Sequence, residues 1–221
     1  TSFDVPLIRD EATTYTRDTW LVGKFTGHLT GVSSVDIRSV GSGGGSIAWV
    51  DPGGLLRVGP ESAGAFPGPA CYGRGGTKPT VSVAALVLGY LDPVTFLGGR
   101  MRLDRGAAVS VLQVLANDLK TTVEQAAEAI MTLGNEHMVG AIQEITINEG
   151  VDPREAVIAA GGGAAGLGIV AIARQLGCRS IIVPRAAGAL SATGAQFSDI
   201  VAEFTVAQFA DTGAFDFDAV D

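Results

Sequence analysis

The segment Val157-Ile158-Ala159-Ala160-Gly161-Gly162-Gly163-Ala164-Ala165-Gly166 constrains this chain more than any other part of it. A short apolar run bounded by glycines reads as a buried strand. The apolar stretch Leu167–Leu176 that follows reads as a helix, and Ser180–Val183 as the next strand. A strand, a glycine turn, a helix and a second strand make a βαβ unit, so the expected class is α/β. Glycine has no Cβ, which lets main-chain N–H groups approach a ligand closely, and a helix N-terminus adds positive partial charge. The same glycines also suit a turn that only packs a helix on a sheet, and the local sequence leaves both readings open.

Upstream, the texture is different. Thr1–Ile8, Thr13–Lys24 and Ser34–Val40 read as strands. Ser46–Asp51 and Leu55–Val58 flank Pro52-Gly53-Gly54, a hairpin signal. Gly59–Gly76 is rich in Pro and Gly and reads as a long ordered loop or a lid. Val81–Tyr90 is apolar enough for a short buried helix. From Asp104 the pattern turns helical, first over Gly106–Lys120 with Val109, Leu112, Leu115 and Leu119 on one face. A second helix, with Thr122 before Glu124 and Gln125 as its start signal, extends to about Asn148, and Gly150 ends it. A helical segment around Gly188 and Gly194 and a strand near Ala202–Gln208 complete the reading, with an acidic, frayed tail at 211–221.

Composition narrows the function classes. The 221 residues are 47% hydrophobic and only 17% charged, which fits a folded core and not a disordered chain. A formal charge of -8 disfavours phosphate-backbone binding, so nucleic acid is not an expected partner. The apolar stretch around 164–173 is too short and too Gly-rich to span a bilayer, so no membrane association is expected. The two cysteines, Cys71 and Cys178, lack metal-ligand spacing, and a reduced, cytoplasmic setting fits them. The chain opens directly on a strand without an initiator Met, which is the pattern of a fragment whose upstream half lies elsewhere.

Gly161, Gly163 and Gly166 also match the G-x-G-x-x-G dinucleotide fingerprint. That fingerprint normally opens its domain and is followed by an acidic residue about 20 positions on. Here the next strand ends in Pro184-Arg185, so the dinucleotide reading is weak.

Several strings point to a family. Thr1-Ser2-Phe3-Asp4-Val5 resembles the tail of the second phosphate loop in the superfamily of actin, sugar kinases and heat-shock chaperones, and Gly161–Gly166 resembles the adenosine loop of those ATPases. The strings Asp36-Ile37-Arg38-Ser39-Val40-Gly41-Ser42-Gly43-Gly44-Gly45-Ser46-Ile47-Ala48-Trp49-Val50-Asp51, Gly59–Thr77 with Pro79-Thr80-Val81, and Phe96-Leu97-Gly98-Gly99-Arg100-Met101 are similar to the hydantoinase A/5-oxoprolinase family. That family includes acetone and acetophenone carboxylase subunits. The resemblance runs from Thr1 to about Ile200. Many members carry Phe-Gly-Gly-Ala-Gly-Pro where this chain has Ala160-Gly161-Gly162-Gly163-Ala164-Ala165, which leaves the subfamily open.

The resemblance implies a ribonuclease H-like second lobe over residues 1–210, with a β-rich, Gly-rich insertion at about 13–103. It implies ATP and Mg²⁺ as cofactors, with Thr1 and Ser2 near phosphate and Gly161, Gly162, Gly163 and Gly166 near adenosine. It implies a cyclic-amide hydrolase that activates a carbonyl oxygen by phosphorylation, or a carboxylase subunit acting on a ketone. The implied partners are the missing N-terminal lobe and a hydantoinase B-type second subunit. A non-catalytic scaffold subunit is the rival from another class.

Other candidates are weaker. Cys71 in its Pro/Gly frame is either a nucleophile or, more in keeping with small buried thiols, structural. His28 reads as a loop histidine and His137 as a helix residue. Glu61, Arg74, Lys78 and Asp36 are loop charges without an assigned role. The Gly41–Gly45 run either cradles an anion with stacked amides or turns the chain tightly between two strands.

Overall fold

The computed structural model describes residues 2–22, 26–200 and 213. The first part of the chain is a series of short strands. They are β1 (Phe3–Pro6), β2 (Ile8–Arg9), β3 (Ala12–Thr13), β4 (Tyr15–Thr16), β5 (Trp20–Leu21), β6 (His28–Leu29), β7 (Ser34–Val35) and β8 (Ile37–Val40). β1 pairs antiparallel with β8, Phe3 opposite Val40 and Asp4 opposite Ser39. Between them the chain leaves as an arm, in which β2 pairs with β3, β4 with β7 and β5 with β6. The expected strands at Thr13–Lys24 and Ser34–Val40 are therefore broken. The Thr16 hydroxyl accepts from the Asp18 amide, and such local side-chain bonds interrupt a ladder. The Asp36 amide donates to the Thr14 carbonyl between β7 and β8.

β9 (Ser46–Val50) and β10 (Leu56–Ser62) form the expected hairpin. Asp51 pins its turn, because its carboxylate accepts from the amides of Gly53 and Leu55 and pairs with Arg57. These bonds, with the backbone bond at Leu55 the largest cause, hold the Asp51 carboxyl below its ordinary pKa. The Pro/Gly-rich loop that follows is ordered. Its short helical turn at Ala70–Tyr72 buries Pro69, Ala70 and Cys71 in the core.

Helix α1 (Val81–Val87) is buried at every position, with the Thr80 side chain capping its start by accepting from the Val83 amide. It packs on α2 (Arg105–Leu119) and α3 (Val123–Asn148). Asp104 caps α2, and Thr122 with Gln125 forms a complete capping box at α3. At 26 residues, α3 is about 39 Å long and is the spine of the molecule. Val123, Ala126, Ala127, Ile130 and Met131 in its first half join the main core with Leu86 and Leu112. Val139 and Ile142 in its second half join a smaller core with Phe3, Val5, Ile158, Ile172 and Leu176. Truncating a fully buried side chain such as Ile130 would cost about 2–5 kcal/mol.

The last unit is the expected βαβ. β11 (Val157–Ala159) lies parallel to β12 (Ser180–Ile182), with Ile158 opposite Ile181. The connecting helix α4 (Ala165–Leu176) buries Gly168, Ile169, Ile172, Ala173 and Leu176, one continuous face, largely against α3. A helical turn at Ala187–Ala189 leads into α5 (Leu190–Phe197). The molecule is a mixed α/β lobe, as its class was expected to be. Strands β2 to β7 pair only with one another and form the arm, whereas β8, β9, β10 and α1 are built into the main body. The expected strand near Ala202–Gln208 and the tail at 211–221 lie outside the described residues, Gly213 excepted.

Candidate functional site

Ligands of parallel α/β sheets bind beyond the carboxyl ends of the strands. In this chain that place is the turn from β11 to α4. The Ala160 amide still donates to the Ile182 carbonyl, and the chain then turns at Gly161. The Gly162 amide donates to the Ala187 carbonyl at 2.7 Å, which ties the turn to the segment before α5.

The four glycines of the turn have different reasons to be glycine. A Cβ at Gly161 would fall inside the Leu190 side chain. Gly162 has a φ of +103°, which side-chain-bearing residues rarely adopt. The fold therefore explains these two. Gly163 and Gly166 have no left-handed φ, and a Cβ at either would meet nothing within 4 Å. All four positions are exposed. A side chain at either of these two positions would project into open space, so the packing of the fold does not require glycine there.

The turn also presents donors. No side chain caps α4. The amides of Gly163, Ala164 and Gly166 have no partner among the described residues, whereas Ala165 and Leu167 donate to Gly162 and Ala164. Free N–H groups at the positive end of a helix are of the kind that can accept an anion.

The second expected segment begins at Thr1, which lies outside the described residues. Ser2 is exposed, and its hydroxyl donates to Asp4 at 2.7 Å. The other Asp4 oxygen accepts from the Ser39 hydroxyl at 2.6 Å. Phe3 and Val5 of β1 share the smaller core with Ile158 of β11, so both expected segments rest on one foundation.

One juxtaposition was not legible in the sequence. Gly44 lies beside Ala164, the residue just before α4, so that a Cβ built on Gly44 would stand 3.7 Å from that of Ala164. Residues distant in the chain meet here only through tertiary packing. The loop itself is closed by its own side chains. The Gly43 amide donates to the Ser46 hydroxyl, which donates to the Gly41 carbonyl, and the Ser82 amide donates to the Gly44 carbonyl.

The remaining candidates separate from this site. Cys71 is fully buried, and burial, the main cause, pushes its thiol up to about 11. A thiol held neutral in this way is not an activated nucleophile. Burial also raises the Tyr72 hydroxyl, against a hydrogen bond with Ser82 that lowers it. His28 sits exposed on the arm opposite Leu21, and His137 is exposed on α3. Lys78 lies 3.8 Å from Glu61 on the surface, and Asp36 pairs with Arg38 at 2.6 Å. A recess of about 480 Å³ near Asp152, Arg154 and Arg179 lies at the opposite, amino-terminal ends of β11 and β12. Among the described residues no helix is long and apolar enough to cross a membrane, and no group of three or more metal-binding His, Cys, Asp or Glu side chains occurs.

The chain is 42% identical to the caprolactamase subunit alpha of Pseudomonas jessenii, over 90% of this chain and 28% of that protein. It is 38% identical to the acetophenone carboxylase gamma subunit of Aromatoleum aromaticum, over 91% of this chain and 27% of that one. The crystal structure of the ATP-dependent caprolactamase from Pseudomonas jessenii superposes with a TM-score of 0.80 at 42% identity, covering 90% of this chain and 28% of that one. Nucleotide-free acetone carboxylase superposes with a TM-score of 0.77 at 31% identity, covering 88% and 27%. The chain thus spans a little over a quarter of the length of these relatives. The hydantoinase/oxoprolinase family model matches residues 1–204, and the chain belongs to that family.

Proposed function

We propose that this chain is the nucleotide-binding part of an ATP-dependent cyclic-amide hydrolase. ATP would activate the ring carbonyl oxygen by phosphorylation, turning a poor reacting oxygen into a phosphate ester before water opens the ring. The observation that carries this reading is the open space at Gly163 and Gly166, together with the free amides of Gly163, Ala164 and Gly166. A relative of known structure is named an ATP-dependent caprolactamase, which supports both the nucleotide and the cyclic amide. In phosphoryl transfer the protein mainly supplies position and charge stabilisation, and a rigid backbone wall suits that task.

Within this proposal Gly161 and Gly162 shape the turn, Gly163 and Gly166 leave room for the nucleotide, and Thr1 and Ser2 belong to the phosphate side. Mg²⁺ is held by one or two carboxylates together with phosphate oxygens and water. Both oxygens of Asp4 are engaged by serines, so the phosphates would carry most of the coordination. The working enzyme would include further lobes and a hydantoinase B-type subunit, and it would act in the cytoplasm. The segment alone would show no steady phosphate release, because the groups facing the nucleotide from other lobes are needed for turnover.

A second reading has its own support, the 38% identity to a carboxylase subunit. The same turn would then serve activation of a ketone as an enol phosphate. Phosphate release stimulated by a lactam, hydantoin or 5-oxoproline favours the hydrolase, and stimulation by acetone or acetophenone with bicarbonate favours the carboxylase.

The test of the nucleotide site is Gly163→Val in the whole native protein, with ATP affinity and melting temperature measured on one sample. The position has open space and an ordinary φ, so the fold is retained. The expected result is ATP affinity lowered about tenfold, equivalent to about 1.4 kcal/mol. Unchanged affinity in a folded variant ends the assignment.

A further inference from the structure

Three consecutive glycines, Gly161 to Gly163, make a turn with little conformation of its own, because glycine gives up more backbone freedom on ordering than any other residue. The segment after β12 supplies what the glycines lack. Its Ala187 carbonyl accepts from the Gly162 amide at 2.7 Å, and its Leu190 side chain fills the place where a Cβ at Gly161 would stand. The segment is itself shaped by local bonds, the Ala187 amide donating to the Pro184 carbonyl and the Ala189 amide to the Ala186 carbonyl.

Leu190 is an unusual leucine. It is 36% exposed and belongs to neither hydrophobic core, and α5, which it begins, buries no residue. Core packing therefore does not account for its contact with the turn. The contact is nevertheless close. Gly161 has no left-handed φ, so its backbone would accept a side chain. All three atoms nearest to a Cβ built there belong to Leu190, so this one side chain is the first obstacle to a methyl group.

We propose that Leu190 is a positioning residue for nucleotide binding. With the Ala187 carbonyl it holds Gly161 and Gly162 in the one conformation that leaves Gly163 and Gly166 open. It acts through Gly161 and not by contact with the ligand. This rests on the nucleotide reading above. A turn fixed before the ligand arrives does not pay for its ordering out of the binding energy, so the effect of Leu190 falls on affinity more than on the stability of the fold.

The experiment uses the whole native protein and five variants: Leu190→Ala, Leu190→Met, Gly161→Ala, the double variant Gly161→Ala/Leu190→Ala, and Gly163→Val. ATP affinity and melting temperature are measured on each. Leu190→Ala is expected to bind ATP about tenfold more weakly with a melting temperature close to that of the native protein. Leu190→Met, similar in volume, is expected to bind as the native protein does. Gly161→Ala drives a methyl into Leu190 and weakens binding. In the double variant the Leu190 atom that remains is the Cβ, 3.0 Å from the new methyl, a tight contact that a small shift relieves. The methyl then fills the gap that leucine left, so the double variant binds ATP more tightly than the two single losses combined would allow. Strictly additive losses, or a lower melting temperature in Leu190→Ala with ATP affinity unchanged, overturn the positioning role. If Leu190→Ala binds normally while Gly163→Val loses tenfold, the nucleotide site stands without Leu190. If neither loses affinity, the nucleotide reading falls as well.

Discussion

The Ser42 hydroxyl donates to the Gly134 carbonyl at 3.1 Å, a buried bond that fastens the glycine loop to the middle of α3. The carbonyl belongs to a helix, so the serine hydroxyl is a second donor to it and does not replace the first. Ser42→Ala should therefore cost about 1 kcal/mol, the net value of one such bond. Chemical denaturation should show this as a lower midpoint with an unchanged slope.

Glycines inside the helices divide by sign. A Cβ on Gly134 would stand 3.7 Å from Ser42 and Val81, ordinary contact, and one on Gly140 would meet nothing within 4 Å. Alanine at either position should stabilise the protein by about 0.5–1 kcal/mol through helix propensity. At Gly168 a Cβ would overlap the Asn135 carboxamide, so that this side chain must leave its place between α3 and α4. Gly168→Ala should lower the melting temperature, and a rise there would mean that the Asn135 carboxamide moves aside at little cost.

The Thr122–Gln125 capping box starts the longest helix, with the Gln125 amide donating to the Thr122 hydroxyl at 3.2 Å and the Gln125 side chain accepting from the Thr122 amide. Thr122→Ala should cost about 1 kcal/mol, as cap removal usually does. Thermal unfolding of Thr122→Ser beside it supplies the control, because serine keeps the cap and should lose little.

Much of this fold was legible from local pattern alone. The α2 and α3 spans, the β9–β10 hairpin and the βαβ unit follow from period, turn residues and caps, because each is stabilised by groups close in sequence. The arm between β1 and β8 was read as longer strands, since Tyr15, Thr16, Trp20 and Val22 carry strand propensity whatever their pairing. In the glycine turn, the sequence shows four alike residues. The structure separates them: Leu190 excludes a side chain at Gly161, a positive φ excludes one at Gly162, and nothing excludes one at Gly163 or Gly166. Those reasons depend on what a distant segment places against the turn. The approach of Gly44 to Ala164 has the same origin.

Cys71 gives a prediction in which pH carries the sign. Its thiol has an ordinary value of 9.0 and is pushed up to about 11 in the folded protein, chiefly by burial, with Asp104 adding a smaller rise. The folded state thus keeps its proton when the unfolded chain has already released it. Below pH 9 both forms are protonated and the thiol's contribution is constant. As pH rises from 9 towards 11 only the unfolded chain gains from deprotonation, so stability falls across that window. The full difference is roughly 2–3 kcal/mol at the scale of 1.36 kcal/mol per pKa step. Cys71→Ala removes this dependence while leaving a small cavity, so it should be less stable than wild type at pH 8 and should close most of the gap at pH 11. Other titrating groups are common to both proteins and cancel in the comparison. The same burial should make the folded protein slow to react with iodoacetamide at pH 8 at this position. Rapid modification of Cys71 in the folded state, or a stability gap that does not change between pH 8 and 11, would show that the thiol is reached by water.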